Sequence, residues 1–336
     1  TASSTLNAAG YGARRFVTVG TTAYFWANDG SGPQIFQTDG SDAGTSAITP
    51  VHQGFISGAA PSVLETPLYA YQEKLYTAFD DGSGNRPWVY DFTSGSFAAI
   101  PGPAFASYKP MEFAGLNGKV YLNANQELTR YNPVTGAVTD FAVGGSVGSL
   151  FPHNGKLFFV ADDGSGLQPY VSDGTIAGTV KLPVNLAGSG VRSDASFAAI
   201  GDKVLFFGDD GSTGLEPWIS DGTAAGTSLL KDIALNAASS VATSSMHPTT
   251  LSTASGDRVL FFADDALGMG AELWITDGSS ANTLRLLDIN PGSPDSYSRF
   301  TYWNQSAVAA GDKVFFVADD GQHGEELWVT DGTAGS

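Results

Sequence analysis

Paired aspartates recur along the sequence beside glycine-rich loops, and several pairs are followed seven or eight residues later by a glutamate. Carboxylates and loop carbonyls are the ligands that Ca²⁺ prefers, since it takes about six to eight oxygens in a flexible geometry. The candidate cation ligands are Asp81, Asp163, Asp210, Asp265, Asp320, Glu216, Glu272 and Glu326. Their spacing differs from that of an EF-hand, and adjacent side chains on a strand point to opposite faces. A second interpretation stays open, in which these aspartates cap turns and keep the rim soluble.

Histidines and one tryptophan form a second group of candidates. His52, His247 and His323 fall near the same loops, and three imidazoles that converge could hold a transition metal. Trp303 lies in a linker, outside the repeated aromatic position, and is the better candidate for contact with a ligand. No serine-hydrolase, zinc-protease, P-loop or dinucleotide-binding motif stands where it could be used.

The elements that must position these residues are set by an internal repeat. The position of the first aspartate of each pair recurs at Asn28, Asp80, Asn123, Asp162, Asp209, Asp264 and Asp319, about 48 residues apart on average, as in four-stranded propeller blades. Each copy reads as four short strands joined by turns, without a helical period. The sequence therefore predicts an all-β fold, a seven-bladed β-propeller of four-stranded antiparallel blades.

We expect one propeller domain over residues 1–336, with units that start near residues 15, 67, 111, 149, 195, 250 and 305. The seventh unit stops before a fourth strand, whereas residues 1–10 precede the first unit. We therefore expect this N-terminal strand to complete the last blade, which would remove its open edge.

The predicted topology separates two ends of each blade. In a four-stranded meander, the turn between the second and third strands shares an end with the crossover to the next blade, so the acidic loops and long crossovers should lie together. The Asp-Gly-Thr turns lie at the opposite end, where we expect a structural role. A repeated aromatic position in the third strand predicts packing between blades and holds Trp88, Tyr170, Trp218, Trp274 and Trp328.

The segment from Glu326 to Thr333 reads ELWVTDGT, and Glu272 to Gly278 and Glu216 to Thr223 are close copies. This pattern resembles the ELWxxDGT-repeat family of bacterial exported proteins over about residues 150–336. The resemblance implies a propeller and an extracellular or bacterial cell-surface location. It implies no particular activity.

Composition restricts the partners. Sixteen Lys and Arg against thirty-four Asp and Glu give a net charge of −18, which repels nucleic acids and anionic lipid surfaces. The chain has no cysteine, so disulfides and thiol nucleophiles are excluded. No apolar run is long enough to span a bilayer, which predicts no membrane insertion. The chain starts without a signal-like segment or a Met, so we expect a piece that was processed or excised from a longer protein. We expect the domain itself to be monomeric.

Two functions remain open at this stage. The first is a binding, adhesion or scaffolding module whose acidic, loop-rich face binds a protein or a glycan, assisted by Ca²⁺. The second is a hydrolase or lyase that acts on a polysaccharide through carboxylates or histidines at the ring mouth.

Overall fold

Short antiparallel strands and tight turns make up the regular structure, as the apolar runs and the glycine-containing turns of each repeat dictate. The computed structural model describes residues 13–29, 32–49, 67–80, 85–102, 112–124, 127–184, 197–235, 238–241, 247–292, 295–296 and 307–333. Within these ranges the chain forms twenty-seven strands and no α-helix. Accordingly, none of the described residues belongs to a helix that is long and apolar enough to cross a membrane.

The chain divides into two compact units, Thr1–Ala142 and Val143–Ser336. Unit 1 contains three four-stranded antiparallel sheets. Their strands are β1 (Arg14–Val19), β2 (Thr22–Asn28), β3 (Pro33–Thr38) and β4 (Ser46–Ala47); β5 (Tyr69–Ala70), β6 (Lys74–Asp80), β7 (Asn85–Asp91) and β8 (Ser96–Ala99); and β9 (Phe113–Leu116), β10 (Lys119–Ala124), β11 (Glu127–Tyr131) and β12 (Val138–Phe141).

Unit 2 contains three four-stranded sheets and, in the described residues, a last sheet of three strands. Their strands are β13 (Gly145–His153), β14 (Lys156–Asp162), β15 (Leu167–Ser172) and β16 (Thr179–Lys181); β17 (Ala198–Ile200), β18 (Lys203–Asp209), β19 (Leu215–Ser220) and β20 (Ser228–Leu229); β21 (Thr249–Thr253), β22 (Gly256–Ala263), β23 (Glu272–Thr276) and β24 (Leu284–Leu287); and β25 (Ala307–Ala310), β26 (Lys313–Asp319) and β27 (Glu325–Thr330).

In every sheet the neighbouring strands are consecutive in the chain, which is the meander of a propeller blade. The predicted all-β fold with seven antiparallel blades is thereby confirmed. The sheets begin at Arg14, Tyr69, Phe113, Gly145, Ala198, Thr249 and Ala307. The predicted closing strand, residues 1–10, lies outside the described residues.

The core of unit 2 lies between consecutive sheets. In β18, Phe206 packs with Phe158 and Val160 of the sheet before it, whereas the next residue, Phe207, packs with Phe261 of the sheet after it. Successive side chains of a strand point to opposite faces, so an unbroken apolar run such as VLFF is buried only where both faces are covered.

The repeated tryptophans have the structural role that their recurrence predicts. Trp218 packs in the cluster between the first and second sheets of unit 2, and Trp274 in the cluster between the second and third. The indole Nε1 of Trp218 donates to the carbonyl of Gly208 at 3.0 Å, and that of Trp274 donates to the carbonyl of Ala263 at 2.9 Å. Each indole therefore buries its ring while its N–H remains hydrogen-bonded.

The Asp-Gly turns between third and fourth strands pack on the preceding sheet. Asp221 Oδ1 accepts the amide of Thr223 at 2.8 Å and its hydroxyl at 2.7 Å. Gly278 has a φ of +87°, and a β-carbon placed on it would lie 3.2 Å from Cδ1 of Ile219 in the sheet before it. A β-carbon on Gly222 would lie 2.9 Å from Lys156, and one on Gly332 would lie 3.0 Å from Ile275, again in the preceding sheet. In these three sheets of unit 2 the turn therefore joins its blade to the one before it, whereas a β-carbon on the equivalent Gly40 of unit 1 would meet no described residue within 4 Å.

Candidate functional site

We call the end of the unit 2 sheets that carries the turns between second and third strands the crossover end. These turns cover residues 163–166, 210–214, 264–271 and 320–324. The crossovers between sheets are hydrogen-bonded to them: the amide of Asp264 donates to the carbonyl of Ser240 at 2.7 Å, and that of Asp319 donates to the carbonyl of Ser296 at 2.9 Å. Acidic turns and crossovers thus share one end, as the meander topology predicts.

Both members of each aspartate pair cap the turn in which they lie. Asp209 Oδ1 accepts the amide of Gly211 at 2.7 Å, and Asp210 Oδ1 accepts the amide of Ser212 at 2.9 Å. The other three turns repeat this pair of bonds, from Asp162 and Asp163, Asp264 and Asp265, and Asp319 and Asp320. Eight aspartates therefore use Oδ1 to order the backbone, and this leaves Oδ2 to face other groups.

The second aspartate of each turn differs from blade to blade in what its Oδ2 contacts. Lys181 lies 2.9 Å from Oδ2 of Asp163, Arg285 lies 3.8 Å from that of Asp265, and His323 lies 2.8 Å from that of Asp320. In Asp210, Oδ1 accepts the hydrogen bonds from both the amide and the hydroxyl of Ser212.

The carboxylates of Asp163, Asp210 and Asp320 stay ionised far below neutral pH. The pKa of Asp163 falls to about 2, chiefly because the Ser165 hydroxyl hydrogen-bonds to it and also because of Lys181. The pKa of Asp210 also falls to about 2, chiefly through the Ser212 hydroxyl. That of Asp320 falls to about 2 through His323, whose own pKa is raised in return. The crossover end therefore carries fixed negative charge.

Two of the predicted cation ligands, Glu216 and Glu272, lie inside the protein. Glu216 Oε2 accepts the amide of Ile233 at 3.0 Å and the hydroxyl of Ser240 at 2.7 Å, while Oε1 accepts the amides of Ala234 at 3.1 Å and Ser240 at 3.2 Å. All of these donors belong to the crossover that leaves the same sheet. Glu216 thus fixes the path of the chain between blades, although burial raises its pKa.

Glu272 has the same position in the next sheet and is 0% exposed. Its Oε2 accepts the amide of Ile289 at 2.7 Å. Oε1 has no hydrogen-bond partner within the described residues, and the same holds for Oδ1 of the adjacent Asp288. Burial, with a smaller effect from the charge of Asp288, raises the pKa of Glu272 to about 7. Glu326, the third member of the set, is only half-buried.

The described residues include no group of three or more His, Asp or Glu side chains placed to hold a metal ion. Asp81 lies outside them, and Asp163, Asp210, Asp265 and Asp320 are distributed over four separate turns. The calcium site remains a prediction. His52 and Trp303 also lie outside the described residues, and His323 pairs with Asp320.

His247 lines a cleft of about 370 Å³ in unit 2. The first strands of four consecutive sheets, with the residues that lead into them, form its wall: Phe151, Phe197, Ala198, His247, Pro248, Thr249, Thr250, Ala307, Val308 and Ala309. The rings of Phe151 and Phe197 lie 6.2 Å apart, and the hydroxyl of Thr250 donates to the carbonyl of Ala199 at 2.8 Å, which ties β21 to β17. This described lining combines apolar side chains with the polar groups of His247, Thr249 and Thr250, and it contains no carboxylate.

Sequence reasoning missed what surrounds the buried glutamates. Ser240, which donates to Glu216, and its equivalent Ser296 each follow a glutamate by twenty-four residues, and the neighbouring charges of Asp232 and Asp288 each follow it by sixteen. This repeated spacing was the available signal, but serine and aspartate in a long crossover resemble ordinary loop residues.

No family model matches the chain, and no curated protein matches it. Among solved structures, it is similar to dipeptidyl peptidase 4 from Porphyromonas gingivalis, with 10% identity and a TM-score of 0.58 over 95% of this chain and 51% of that one. It is also similar to a puromycin-hydrolysing peptidase from Mycobacterium tuberculosis, with 12% identity and a TM-score of 0.49 over 99% of this chain and 53% of that one.

A third likeness is to the β-propeller domain of the Trilobed protease from Pyrococcus furiosus, with 12% identity and a TM-score of 0.44 over 95% of this chain and 92% of that one. The chain spans about half the length of the two peptidases named before it. At such identities a likeness describes the fold alone. Together with the seven antiparallel sheets, the likeness to dipeptidyl peptidase 4 shows that this fold is a β-propeller.

Proposed function

We propose that this chain is an exported, non-enzymatic binding or scaffolding propeller that uses its acidic crossover end to hold a protein or glycan ligand. One observation carries the proposal: four successive turns present carboxylates that their own backbone amides already order. A ligand that meets pre-ordered charges on a rigid scaffold loses less free energy to loop ordering than one that must fix mobile loops.

The cleft supports binding rather than hydrolysis. Polysaccharide hydrolysis generally requires two carboxyl groups on either side of the scissile bond, and the described lining of the cleft offers none. The buried Glu216 is engaged with crossover amides and the Ser240 hydroxyl, so it is not available as a catalytic base. The polysaccharide-acting enzyme is therefore the less favoured function.

Calcium assistance and an extracellular or bacterial cell-surface location belong to the same proposal, as does membership of the ELWxxDGT-repeat family. The outward carboxylate oxygens of the turns are the oxygen ligands that Ca²⁺ takes. The absence of cysteine and the net charge of −18 agree with a soluble exported module.

A binding screen with a matched variant tests the proposal. The wild-type chain and a variant with Asp163, Asp210, Asp265 and Asp320 replaced by Asn are applied to a glycan array and to an array of extracellular protein ligands, with Ca²⁺ and with EDTA. Asn keeps the turn-capping oxygen, so both proteins should fold. We expect a ligand that the wild type retains and the variant loses. Equal retention by both proteins would contradict a role for the acidic end.

Thermal melting separates the calcium component. If Ca²⁺ binds the turns, the melting temperature of the wild type rises with added Ca²⁺ and falls with EDTA, and the four-Asn variant responds to neither. An unchanged melting temperature in the wild type would remove calcium from the proposal and leave ligand binding to be judged by the arrays.

A further inference from the structure

The cleft in unit 2 is large enough to admit an apolar side chain, and phenyl, prolyl and alanyl groups form part of its walls. Its volume of about 370 Å³ falls at the lower end of the range of ligand sites. Of the lining residues, Phe197 is buried, whereas Val308 is 50% exposed. An aromatic or aliphatic group that enters would exchange water for contact with phenyl, prolyl and alanyl carbon.

The cleft reaches the acidic end of the sheets. His247 and Pro248 belong to the segment that leads into β21, and Ala307 begins β25. First strands therefore enter the cleft from the same end at which second strands run into the acidic turns. The residues that lead into the cleft and the acidic turns therefore lie at the same end of the unit 2 sheets.

Strand register gives the separation between the apolar wall and the charges. Ala307 pairs with Phe316, and Asp319 follows three residues later; Thr249 pairs with Leu260, and Asp264 follows four residues later. At about 3.3 Å per residue, the first aspartates lie roughly 10–13 Å along the sheet from the start of the cleft. An extended peptide spans this distance in about three or four residues.

The charge of that end selects the sign of the partner. The four turns carry eight aspartates, and the described basic groups that lie on them are Lys181 and Arg285, with His323 as a third group when protonated. Complementary charge speeds encounter and discriminates against wrong partners. An anionic polysaccharide would be repelled, and a neutral sugar would gain nothing from the aspartates as charges.

We infer that the cleft and the acidic turns together bind an extended, positively charged peptide segment. One aromatic or aliphatic side chain of the peptide enters the cleft, and a Lys or Arg three or four residues away contacts the carboxylates of the turns. Asp210 is the main acceptor, because Lys181, Arg285 and His323 already lie on the second aspartates of the other three turns. This inference rests on the proposed function and narrows its ligand from a protein or glycan to a basic peptide.

Fluorescence anisotropy with defined peptides tests it. The first probe is a labelled peptide with Phe four residues before a pair of arginines in an otherwise Gly-Ser sequence, and two comparison peptides replace the Phe by Ser or the arginines by Gln. We expect saturable binding of the first probe, at least tenfold weaker binding of both comparison peptides, and weakening of the first complex between 50 and 500 mM salt, because screening reduces charge pairing.

Two variants and a control assign the contacts. Val308→Glu places a charge on the exposed wall of the cleft and should weaken binding at least tenfold. The remaining binding should still weaken with added salt, because the arginines of the peptide still meet the aspartates. Asp210→Asn keeps the turn cap and should weaken binding several-fold and reduce the salt dependence. Asp312→Asn, in a turn at the opposite end, should change neither. Melting temperatures verify that each variant folds.

The outcomes separate this inference from the function on which it rests. Peptide binding that Val308→Glu leaves unchanged would overturn the role of the cleft. If no peptide binds but an array glycan does so in an aspartate-dependent manner, the peptide inference fails and the proposed function stands. If the array and the peptides are both negative, both fail.

Discussion

The carboxylate of Glu216 accepts the hydroxyl of Ser240 at 2.7 Å, twenty-four residues further along the chain and beyond the end of its own sheet. With the two amides of Ile233 and Ala234, this bond holds the crossover against the start of β19. Glu216, the second residue of this third strand, is thus a structural anchor for the segment that reaches the next blade.

Glu216→Gln should destabilise the protein. The side-chain amide would direct its own N–H groups at backbone N–H groups that now donate to a carboxylate, and buried donors that lose their acceptor cost about 1–3 kcal/mol each. We expect a loss of about 2–3 kcal/mol in the free energy of unfolding, measured by urea denaturation. Glu326→Gln, at the half-buried equivalent position, should change stability by less than about 0.5 kcal/mol; equal losses would refute the anchoring role.

Glu272 should make stability depend on pH. Its pKa rises from 4.5 to about 7 in the folded protein, so between these values the folded state holds a proton that the unfolded state has released. The contribution of Glu272 to the free energy of unfolding is therefore fully present below pH 4.5. It decreases by about 3 kcal/mol as the pH rises through about 7. Glu272→Gln, which cannot ionise, should equal the wild type near pH 4.5 and exceed it near pH 8 in urea denaturation. A constant difference at both pH values would contradict this.

Gly278→Ala should be more harmful than Gly268→Ala, although both glycines have a φ near +87°. A β-carbon on Gly268 meets nothing within 4 Å, whereas one on Gly278 lies 3.2 Å from Ile219 and 3.4 Å from Ile200. Backbone strain alone costs about 1 kcal/mol, and we expect Gly278→Ala to lose about 1–2 kcal/mol more. The difference in melting temperature between the two variants measures the packing contribution. Similar melting temperatures would show that the turn does not pack tightly against the preceding sheet.

Lys181→Met should raise the pKa of Asp163 without unfolding the protein. The Lys181 ammonium lies 2.9 Å from Oδ2 of Asp163 and contributes to its low pKa, together with the Ser165 hydrogen bonds. An exposed ion pair contributes only about 0–1 kcal/mol to stability. Carboxyl carbon NMR across a pH titration should show the pKa of Asp163 moving up toward 3.8, while Asp210, whose low pKa depends on Ser212 and Thr213, stays at about 2. An equal rise in the pKa values of Asp163 and Asp210 would contradict a specific effect of the Lys181–Asp163 ion pair.

The sequence was sufficient for features whose cause is local. The run VLFF predicts a strand with both faces buried, and Phe206 and Phe207 do face different sheets. The Asp-Gly turns and repeated tryptophans also recur because each copy meets the same neighbours. These patterns depend on residues within one repeat, so the same pattern in a second repeat supports the same structural interpretation.

Features that depend on distant partners could not be predicted. In the sequence, Glu216 follows a pair of aspartates and resembles a cation ligand. Only the structure shows that its carboxylate accepts hydrogen bonds from Ser240, which lies in an irregular crossover. The cleft was equally hidden, because Ala307 and Ala309 carry no chemical signal and become a wall only when four first strands meet.

The tight packing of Gly222, Gly278 and Gly332 against the preceding sheet restricts how the number of repeats can change in evolution. These three repeats of unit 2 each carry the same half of a junction, so one of them can follow another. An in-frame duplication or deletion of a whole repeat therefore preserves both junctions, whereas a recombination breakpoint inside a repeat separates a glutamate from its serine or an Asp-Gly turn from its seat. Blade number in such chains should change by whole repeats.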